Sequence, residues 1–279
     1  MRSIERTLKS EIAPVGTFTV KRALPAPGRK SIGPWVFLDH FGPFRIKPGE
    51  DGVGPHPHAG IETVTYLLSG RNRHRDSAGH EGIVAKHGAQ WMTAGRGIVH
   101  AEAPLAENED EMTMHGIQLW TSLPRAKKLM ERKYQRIDAA AIPEVQMAGA
   151  TIRIVAGDLS GVSGPARTEM PLFLYHVRLA PGGATELKVA DGQEAGAYVI
   201  AGEPEVNGHA SMAGDLVVLD NAPGDLRLAA GAGAEVMVLG GAPAEGPLVF
   251  HGPFVMNSVE QVRQAERAYV SGLMGHLEA

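Results

Sequence analysis

The amino-acid sequence predicts an all-β protein that ends in an α-helix. Gly (35 residues) and Pro (19 residues) are both frequent in the 279-residue chain, without a collagen-like period, which indicates many turns between short strands. Short β-branched or aromatic segments recur between Gly, Pro, Asp and Asn residues. The long helical patterns that parallel βαβ units require are missing, so antiparallel sheets are expected.

Six segments have the length and composition of β-strands, with turn residues between them. They are residues 61–68, 83–85, 173–179, 197–201, 216–219 and 236–239. Within the third segment, Phe173, Tyr175 and Val177 alternate with His176 and Arg178, which is the period of a strand with two unlike faces. Each segment is therefore predicted to form one strand of an antiparallel sheet.

Two helices are predicted. Residues 124–134 are rich in Lys, Arg, Leu and Met and begin a linker near the middle of the chain. Residues 258–274 are better specified, because Ser258 and Gln261 fit a capping box and Gly275 offers a C-terminal stop. The residues expected to form the apolar stripe of this second helix are Val259, Val262, Tyr269, Val270 and Leu273.

Composition excludes several classes of function. The chain has 27 Lys and Arg against 31 Asp and Glu and no dense basic run, so direct binding to nucleic acid is not expected. Cys is absent, which excludes disulfides, iron–sulfur clusters and thiolate metal sites and leaves imidazole and carboxylate as metal ligands. The first residues are charged, and no apolar run approaches the ~20 residues of a membrane helix, so a cytoplasmic protein without a membrane segment is expected.

Two short motifs place candidate metal ligands two residues apart. His56 and His58 flank a proline, and His100 and Glu102 flank an alanine, so an extended backbone presents each pair on one face. If the two segments lie on neighbouring strands, three nitrogens and one oxygen converge. This donor set suits a transition metal better than Ca or Mg, and four protein ligands leave two positions open on an octahedral ion.

Glu62 is an alternative to Glu102 as the fourth ligand. It follows His58 by four residues and keeps the same strand parity, so the spacing permits ligation. Glu62 would equally fit as a carboxylate that orients a ligand imidazole, or as a buried acid in a polar network. His80 and His115 are further candidates for lining the same cavity, although a hydrogen-bonded core or loop position is expected for each.

The chain also repeats itself once, weakly. Residues 66–70 (YLLSG) resemble residues 198–202 (YVIAG), and a Glu stands four residues before each copy. The second-copy positions that correspond to the four candidate ligands are Lys188, Ala190, Leu226 and Leu228. These four do not form a metal-binding set. The sequence therefore predicts two related β-barrel domains, residues 1–125 and 126–279, with a metal site in the first domain only.

At these residues the sequence resembles the pirin family of the cupin superfamily. The resemblance lies in residues 55–70 (PHPHAGIETVTYLLSG), 74–82 (HRDSAGHEG), 90–104 (QWMTAGRGIVHAEAP), 115–124 (HGIQLWTSLP) and 252–262 (GPFVMNSVEQV). It implies a bicupin fold, with two antiparallel jelly-roll barrels, a C-terminal helix and no metal ligands in the second barrel. It also implies that His56, His58, His100 and Glu102 are the ligands, because pirins take the carboxylate from the second motif whereas other cupins take it from the place of Glu62.

The resemblance implies a metal-dependent dioxygenase of the quercetin 2,3-dioxygenase type. One divalent transition metal ion is expected, Fe(II), with Ni, Cu, Mn, Co or Zn as alternatives. The ion would bind the enolate oxygen of a flavonol-like aromatic substrate that reacts with dioxygen, and Glu102 would be the catalytic base. The alternative is a non-catalytic, iron-dependent regulatory protein that binds a transcription factor or a metabolic enzyme. In a third, purely structural role, the metal would only clamp two strands.

Overall fold

A computed structural model describes residues 1–47, 49, 52–106 and 112–278, which are mostly β-strand. The strands before residue 140 are β1 (Ile4–Lys9), β2 (Glu11–Val15), β3 (Phe18–Leu24), β4 (Trp35–Ile46), β5 (Val53–His58), β6 (Ile61–Ser69), β7 (Arg71–Asp76), β8 (Glu81–Ala85), β9 (Ala89–Thr93), β10 (Ile98–Pro104), β11 (Met112–Ser122) and β12 (Lys133–Ile137). The later strands are β13 (Glu144–Met147), β14 (Ala150–Ala156), β15 (Asp158–Leu159), β16 (Val162–Ser163), β17 (Leu172–Leu179), β18 (Gly183–Leu187), β19 (Glu194–Gly202), β20 (Glu205–Val206), β21 (His209–Ala210), β22 (Asp215–Leu219), β23 (Leu226–Ala230), β24 (Ala234–Gly241), β25 (Val249–His251) and β26 (Phe254–Met256). The described part of the chain has one α-helix, α1 (Val259–Val270), and two short 3-10 turns, Arg125–Lys127 and Ala139–Ala141.

The described sheets have one connectivity that occurs twice. One pair of sheets has the strand orders β12-β9-β6-β11-β4-β3-β2 and β5-β10-β7-β8. The other pair has the orders β1-β22-β19-β24-β17-β14-β13 and β18-β23-β20-β21. The two pairs correspond strand by strand, and the repeated segments predicted from sequence lie on β6 and β19. The six predicted strands lie within β6, β8, β17, β19, β22 and β24, so the prediction of an all-β fold with two related barrels and a C-terminal helix is confirmed.

The chain forms two compact units, and each draws on separate parts of the sequence. The first unit contains Ala13–Val20, Leu38–Ala139 and the described chain from Glu245 onward. The second unit contains Met1–Ile12, Lys21–Phe37 and Ala140–Ala244. The predicted domain boundary after residue 125 stays a prediction. By contacts, the C-terminal helix belongs with the first unit and the N-terminal strand with the second.

The N-terminal strand is fixed in the second unit at both of its ends. β1 pairs with β22 in antiparallel register, as β12 pairs with β9 in the first unit. Before β1, the side chain of Arg2 is only 2% exposed. Its guanidinium donates hydrogen bonds to the carbonyl oxygens of Ala190, Gln193, Asp220 and Gly224. At the other end, Lys9 Nζ lies 2.7 Å from Oδ1 of the buried Asp215.

The C-terminal helix is shorter than the predicted range of 258–274, but its predicted N-terminal cap is present. Ser258 Oγ accepts a hydrogen bond from the backbone N–H of Gln261 at 3.1 Å. The Gln261 side chain accepts from the backbone N–H of Asn257 at 3.0 Å. The helix ends at Val270, before Gly275, where the Ser271 N–H bonds to the carbonyl of Arg267. No helix in the part of the chain that the structure describes has the length and apolar character that a membrane crossing requires.

The apolar stripe predicted for this helix is wrong for most of its members. Val262 is buried as expected, together with Ala265. The four other predicted members are exposed: Val259, Tyr269, Val270 and Leu273. Val259 and Val270 lie roughly a quarter turn around the helix from the buried pair, and Leu273 falls beyond the helix end. The contact surface is therefore narrower than the apolar sequence pattern indicates.

The helix predicted at residues 124–134 is absent, and tertiary contacts of Lys128 explain why. Only a 3-10 turn forms there, and the chain then continues into β12. Lys128 is fully buried, and its Nζ donates to Gly60 O at 2.7 Å, Ser122 Oγ at 2.8 Å and Val255 O at 2.7 Å. Burial lowers the pKa of Lys128 to about 7, and the charge of Glu245 opposes this shift only in part. These hydrogen bonds connect Lys128 to three separate segments of the first unit. They favour the observed 3-10 turn over a continuous helix.

Replacing Lys128 with Met is expected to change how stability depends on pH. An unfolded chain holds the lysine proton up to pH 10.5, whereas the folded protein releases it near pH 7. Between these values the unfolded state binds more protons, so the free energy of unfolding rises with pH in the wild type. Relative to the Met variant, the wild type should gain up to roughly 5 kcal/mol across this interval, at about 1.4 kcal/mol per pH unit. Urea unfolding at several pH values measures this difference. Lys86→Met, at an exposed site, should give no such trend, and an equal slope for both variants would contradict the assignment.

Candidate metal centre

The two predicted ligand motifs lie on neighbouring strands of the first unit. β5 carries His56 and His58, β10 carries His100, and the two strands pair antiparallel with His100 opposite His56. One potential ligand nitrogen from each of the three rings lies within 4.8 Å of the others. The prediction that these three imidazoles converge on one point is therefore met by the geometry.

Hydrogen bonds leave one nitrogen of His56 and one of His58 available for a metal. His56 Nδ1 lies 2.8 Å from Gly54 O, and His58 Nδ1 lies 3.1 Å from Pro253 O. A carbonyl oxygen can only accept, so each Nδ1 carries a proton and, in the neutral ring, each Nε2 keeps its lone pair. Burial, with a further contribution from the neighbouring His56, lowers the pKa of His58 to about 3. The His58 ring is thus neutral, which is the form that binds metal ions.

His100 has a buried nitrogen that no other described residue satisfies. Its ring is 1% exposed, and its Nδ1 lies 3.4 Å from Nδ1 of His74. Its Nε2 has no hydrogen-bond partner within the described part of the chain. Burial and the neighbouring imidazoles hold the pKa of His100 well below its usual range, so the ring is neutral. A buried polar atom without a partner costs roughly 1–3 kcal/mol, and a metal ion at this point would satisfy it. The three imidazoles therefore fit a metal ion.

Glu102 lies near the three imidazoles without belonging to their cluster. Its carboxylate is half-buried, and Oε1 accepts from Thr65 Oγ1 at 2.6 Å and from Asn72 Nδ2 at 3.0 Å. The described hydrogen bonds of this carboxylate all end on Oε1, which leaves Oε2 for other partners. The roles of Glu102 as fourth ligand and as catalytic base stay predictions.

The side chain of Glu62 projects from one face of β6, and Glu102 contacts the other face of that strand. Its Oε1 accepts from Thr93 Oγ1 at 2.9 Å and its Oε2 accepts from Thr121 Oγ1 at 3.1 Å. Thr65, three residues further along β6, points to the face that meets Glu102. The parity argument for Glu62 did not allow for the turn between β5 and β6, which places the two strands in different sheets. These contacts favour a buried acid in a polar network, and a ligand or ligand-orienting role for Glu62 stays a prediction.

The two other candidate histidines are engaged elsewhere. His80 Nδ1 lies 2.9 Å from Asp76 Oδ2 in the turn after β7. His115 Nε2 lies 2.7 Å from His40 Nε2, and the two rings are stacked with centroids 4.9 Å apart. Neither histidine is part of the cluster of three.

The strand β7 carries residues beside the histidine cluster that were not predicted as candidate site residues. Its side chains at Asn72, His74 and Asp76 are buried, while the intervening arginines are less so. This segment (RNRHRD) has no apolar residue, so its composition indicates a solvated strand. One feature of the sequence could have identified them: Arg alternates strictly with Asn72, His74 and Asp76. Residues at every second position of a strand share one face, so these three side chains are expected to lie together.

The C-terminal segment packs against β5 and β10, the strands that carry the three histidines. The carbonyl of Pro253 orients His58, and the N–H of Val255 donates to the carbonyl of Ala59. A buried apolar cluster consists of Ala59, Val99, Phe254, Met256, Val262, Ala265 and Met274. Because Ala59 and Val99 each adjoin a candidate ligand histidine in sequence, this cluster supports the backbone that carries the candidate ligands.

The second unit has apolar residues at the corresponding place. β18 and β23 correspond to β5 and β10, and they contribute the buried Leu187, Leu226 and Leu228 to a hydrophobic core. Among the described residues, the group formed by His56, His58 and His100 is the one that could hold a metal ion.

Comparison with known proteins gives matches over most of the chain. The family model Pirin matches residues 17–121, and the model Pirin C-terminal cupin domain matches residues 174–275. A pirin-like protein of Caulobacter vibrioides is 35% identical over 265 residues, covering 93% of this chain and 91% of that protein. The solved structure of quercetin 2,3-dioxygenase from Acinetobacter baumannii is 31% identical, with a TM-score of 0.94 and full coverage of both chains. Bacterial pirin YhhW from Escherichia coli, solved in complex with nickel(II), is 20% identical with a TM-score of 0.67, covering 86% of this chain and 99% of that one, and this likeness shows the fold alone.

Proposed function

The chain belongs to the pirin family, and we propose that it is a metal-dependent dioxygenase of the quercetin 2,3-dioxygenase type. The observation that carries the proposal is the convergence of three imidazoles, of which His100 has a buried Nε2 without a partner among the described residues. The similarity to a protein described as a quercetin 2,3-dioxygenase supports a flavonol-like aromatic substrate and dioxygen as reactants.

The proposed ligands are His56, His58, His100 and, through Oε2, Glu102. Imidazole and carboxylate donors suit Fe(II), which is the proposed ion, and also Ni, Cu, Mn, Co and Zn. When bound, a divalent ion would supply Lewis acidity that favours the ionised form of the flavonol hydroxyl.

Glu102 is proposed as the base that accepts the proton of the flavonol hydroxyl. The hydrogen bonds from Thr65 and Asn72 hold Oε1 in place, so Oε2 would serve the two roles one at a time, as a ligand before substrate binds and as the proton acceptor afterwards. Trp120 lies edge-on to the His58 ring, with centroids 4.8 Å apart, and offers an apolar surface beside the cluster. A carboxylate near the cluster and an aromatic ring beside His58 suit an aromatic hydroxyl compound as substrate.

The decisive experiment follows quercetin absorbance under oxygen with protein of known metal content. Wild-type protein should consume quercetin only when it is metallated, and Glu102→Gln should lower the rate by roughly 10²–10⁴-fold, as removal of a general base does. Glu62→Gln tests the competing assignment, because a loss in that variant with a normal rate in Glu102→Gln would transfer the role to Glu62. If fully metallated wild-type protein consumes no quercetin, the flavonol proposal is wrong, and the non-catalytic regulatory role with a protein partner becomes the favoured one.

A further inference from the structure

A buried chain of hydrogen bonds runs from β7 to the ligand His100. Asp76 Oδ2 lies 3.0 Å from His74 Nε2, and His74 Nδ1 lies 3.4 Å from His100 Nδ1. All three side chains are buried. β7 and β10 pair in regular register with His100 opposite Asp76, so the backbone itself fixes these neighbours.

When the His74 ring is neutral, its hydrogen bond to Asp76 determines where the protons of both rings lie. A carboxylate can only accept, so His74 Nε2 carries a proton and, in the neutral ring, His74 Nδ1 holds a lone pair. That lone pair accepts the proton on His100 Nδ1. His100 Nε2 is then left with its lone pair, and this is the atom that has no partner among the described residues. The opposite arrangement would put a proton on Nε2 of His100 and block metal binding.

Asp76 is held as an ionised carboxylate by several donors. Its Oδ1 accepts from the backbone N–H groups of Ala78 and His80, and the His80 ring contributes a further bond at 2.9 Å. Burial alone would raise the pKa of Asp76, but the hydrogen bonds from His74 and His80 outweigh it and the pKa lies below its usual range. A negative charge is thus held next to Nε2 of His74.

The ring plane of His74 is set by Tyr134. The two rings stack with centroids 4.5 Å apart and an interplanar angle of 12°. A Cβ atom at position 82 would lie 2.2 Å from the Tyr134 hydroxyl oxygen, so only Gly82 leaves room for this ring. The segment 74–82 (HRDSAGHEG) therefore supplies the imidazole, the carboxylate and the space for the tyrosine.

We propose that His74, backed by Asp76, is a positioning residue of the metal centre that keeps the proton of His100 on Nδ1 and the lone pair of His100 on Nε2. This inference rests on the proposed metal site and goes beyond it, because His74 itself is not a ligand. A ligand histidine ordinarily donates its second N–H to a carboxylate or a carbonyl. Here an imidazole stands between the ligand and the carboxylate.

Titration of the metal-free protein with Co(II) tests the inference without any turnover. His74→Phe keeps an aromatic ring against Tyr134 but removes the acceptor for His100, and it should weaken Co(II) binding by roughly 10–100-fold. It should also shift the visible absorption bands of the Co(II)-saturated protein. His74→Gln supplies an amide oxygen that can accept the same proton, so it should restore the wild-type spectrum and, in part, the affinity. His115→Phe is the matched control, because it removes an imidazole–imidazole hydrogen bond elsewhere in the first unit, and it should leave both readouts at the wild-type value.

The outcomes separate this inference from the proposed function. Wild-type affinity and spectrum in His74→Phe, or equal weakening in His74→Phe and His115→Phe, would overturn it. Thermal unfolding of the metal-free variants identifies a folding defect, and where the Phe variant is defective, the His74→Gln spectrum decides: wild-type bands support the inference and altered bands oppose it. Failure of wild-type protein to bind Co(II) would overturn the metal site and this inference together. Failure to consume quercetin with intact Co(II) behaviour would affect only the proposed function.

Discussion

His100→Ala is expected to abolish tight binding of divalent metal ions. The substitution removes the most deeply buried of the three converging imidazoles and leaves two of them, His56 and His58. Its effect should exceed the roughly 10–100-fold loss that follows removal of a residue that only supports a ligand. The metal-free variant should still fold, because removing the ring also removes a buried nitrogen that lacks a partner among the described residues.

Calorimetric titration with Ni(II) and thermal unfolding with and without Ni(II) measure this effect. A ligand that binds only the folded state stabilises it by about 2.7 kcal/mol at a concentration of 100 times Kd, so the wild type should unfold at a higher temperature with metal. The His100→Ala variant should show no such shift. His176→Ala is the control, because His176 is equally buried but belongs to the second unit. Wild-type Ni(II) affinity in His100→Ala would show that the three-histidine cluster is not the metal site.

The convergence of the histidines could be predicted on one condition, that the strands carrying the two motifs are neighbours, and the pairing of β5 with β10 meets it. Two residues of one strand at a spacing of two share a face, and the turns around each motif make neighbouring strands plausible. The same reasoning failed for Glu62, because parity counts only within one strand, and β5 and β6 are separated by a turn at Gly60 with a φ of +77°. Parity thus correctly placed His56 and His58 on one face, and it misplaced the residue beyond the turn.

Other features depend on partners that are distant in sequence. Residues 124–134 have a helical composition, yet Lys128 binds carbonyl oxygens at Gly60 and Val255, and no local pattern reveals those contacts. His74 was missed for the same reason, since a polar strand looks solvated until its partner β10 is known. The pairing of β1 with β22 joins the two ends of a long segment of chain, and periodicity carries no information on such pairings.

Arg2→Ala is expected to produce the largest loss of stability among changes outside the metal centre. The buried guanidinium donates to four backbone carbonyls of the second unit. Alanine would remove the buried guanidinium and leave these part-buried acceptors without their donor, at roughly 1–3 kcal/mol for each one that water does not reach. A decrease of at least about 3 kcal/mol in the free energy of unfolding of the second unit is expected. Arg2→Lys should fall between, because an ammonium has three donors and lacks the planar geometry of a guanidinium.

Urea unfolding with hydrogen exchange at the amides of β19 and β22 measures where this loss occurs. Arg6→Ala is the control on the adjoining strand, since the exposed ion pair of Arg6 with Glu5 contributes at most about 1 kcal/mol. Equal effects of the two substitutions would contradict the role of Arg2. Ni(II) affinity should be unchanged in folded Arg2→Ala, because the described contacts of Arg2 lie within the second unit and all three converging histidines lie within the first. Loss of stability without loss of metal affinity would therefore assign β1 to one barrel and the metal to the other.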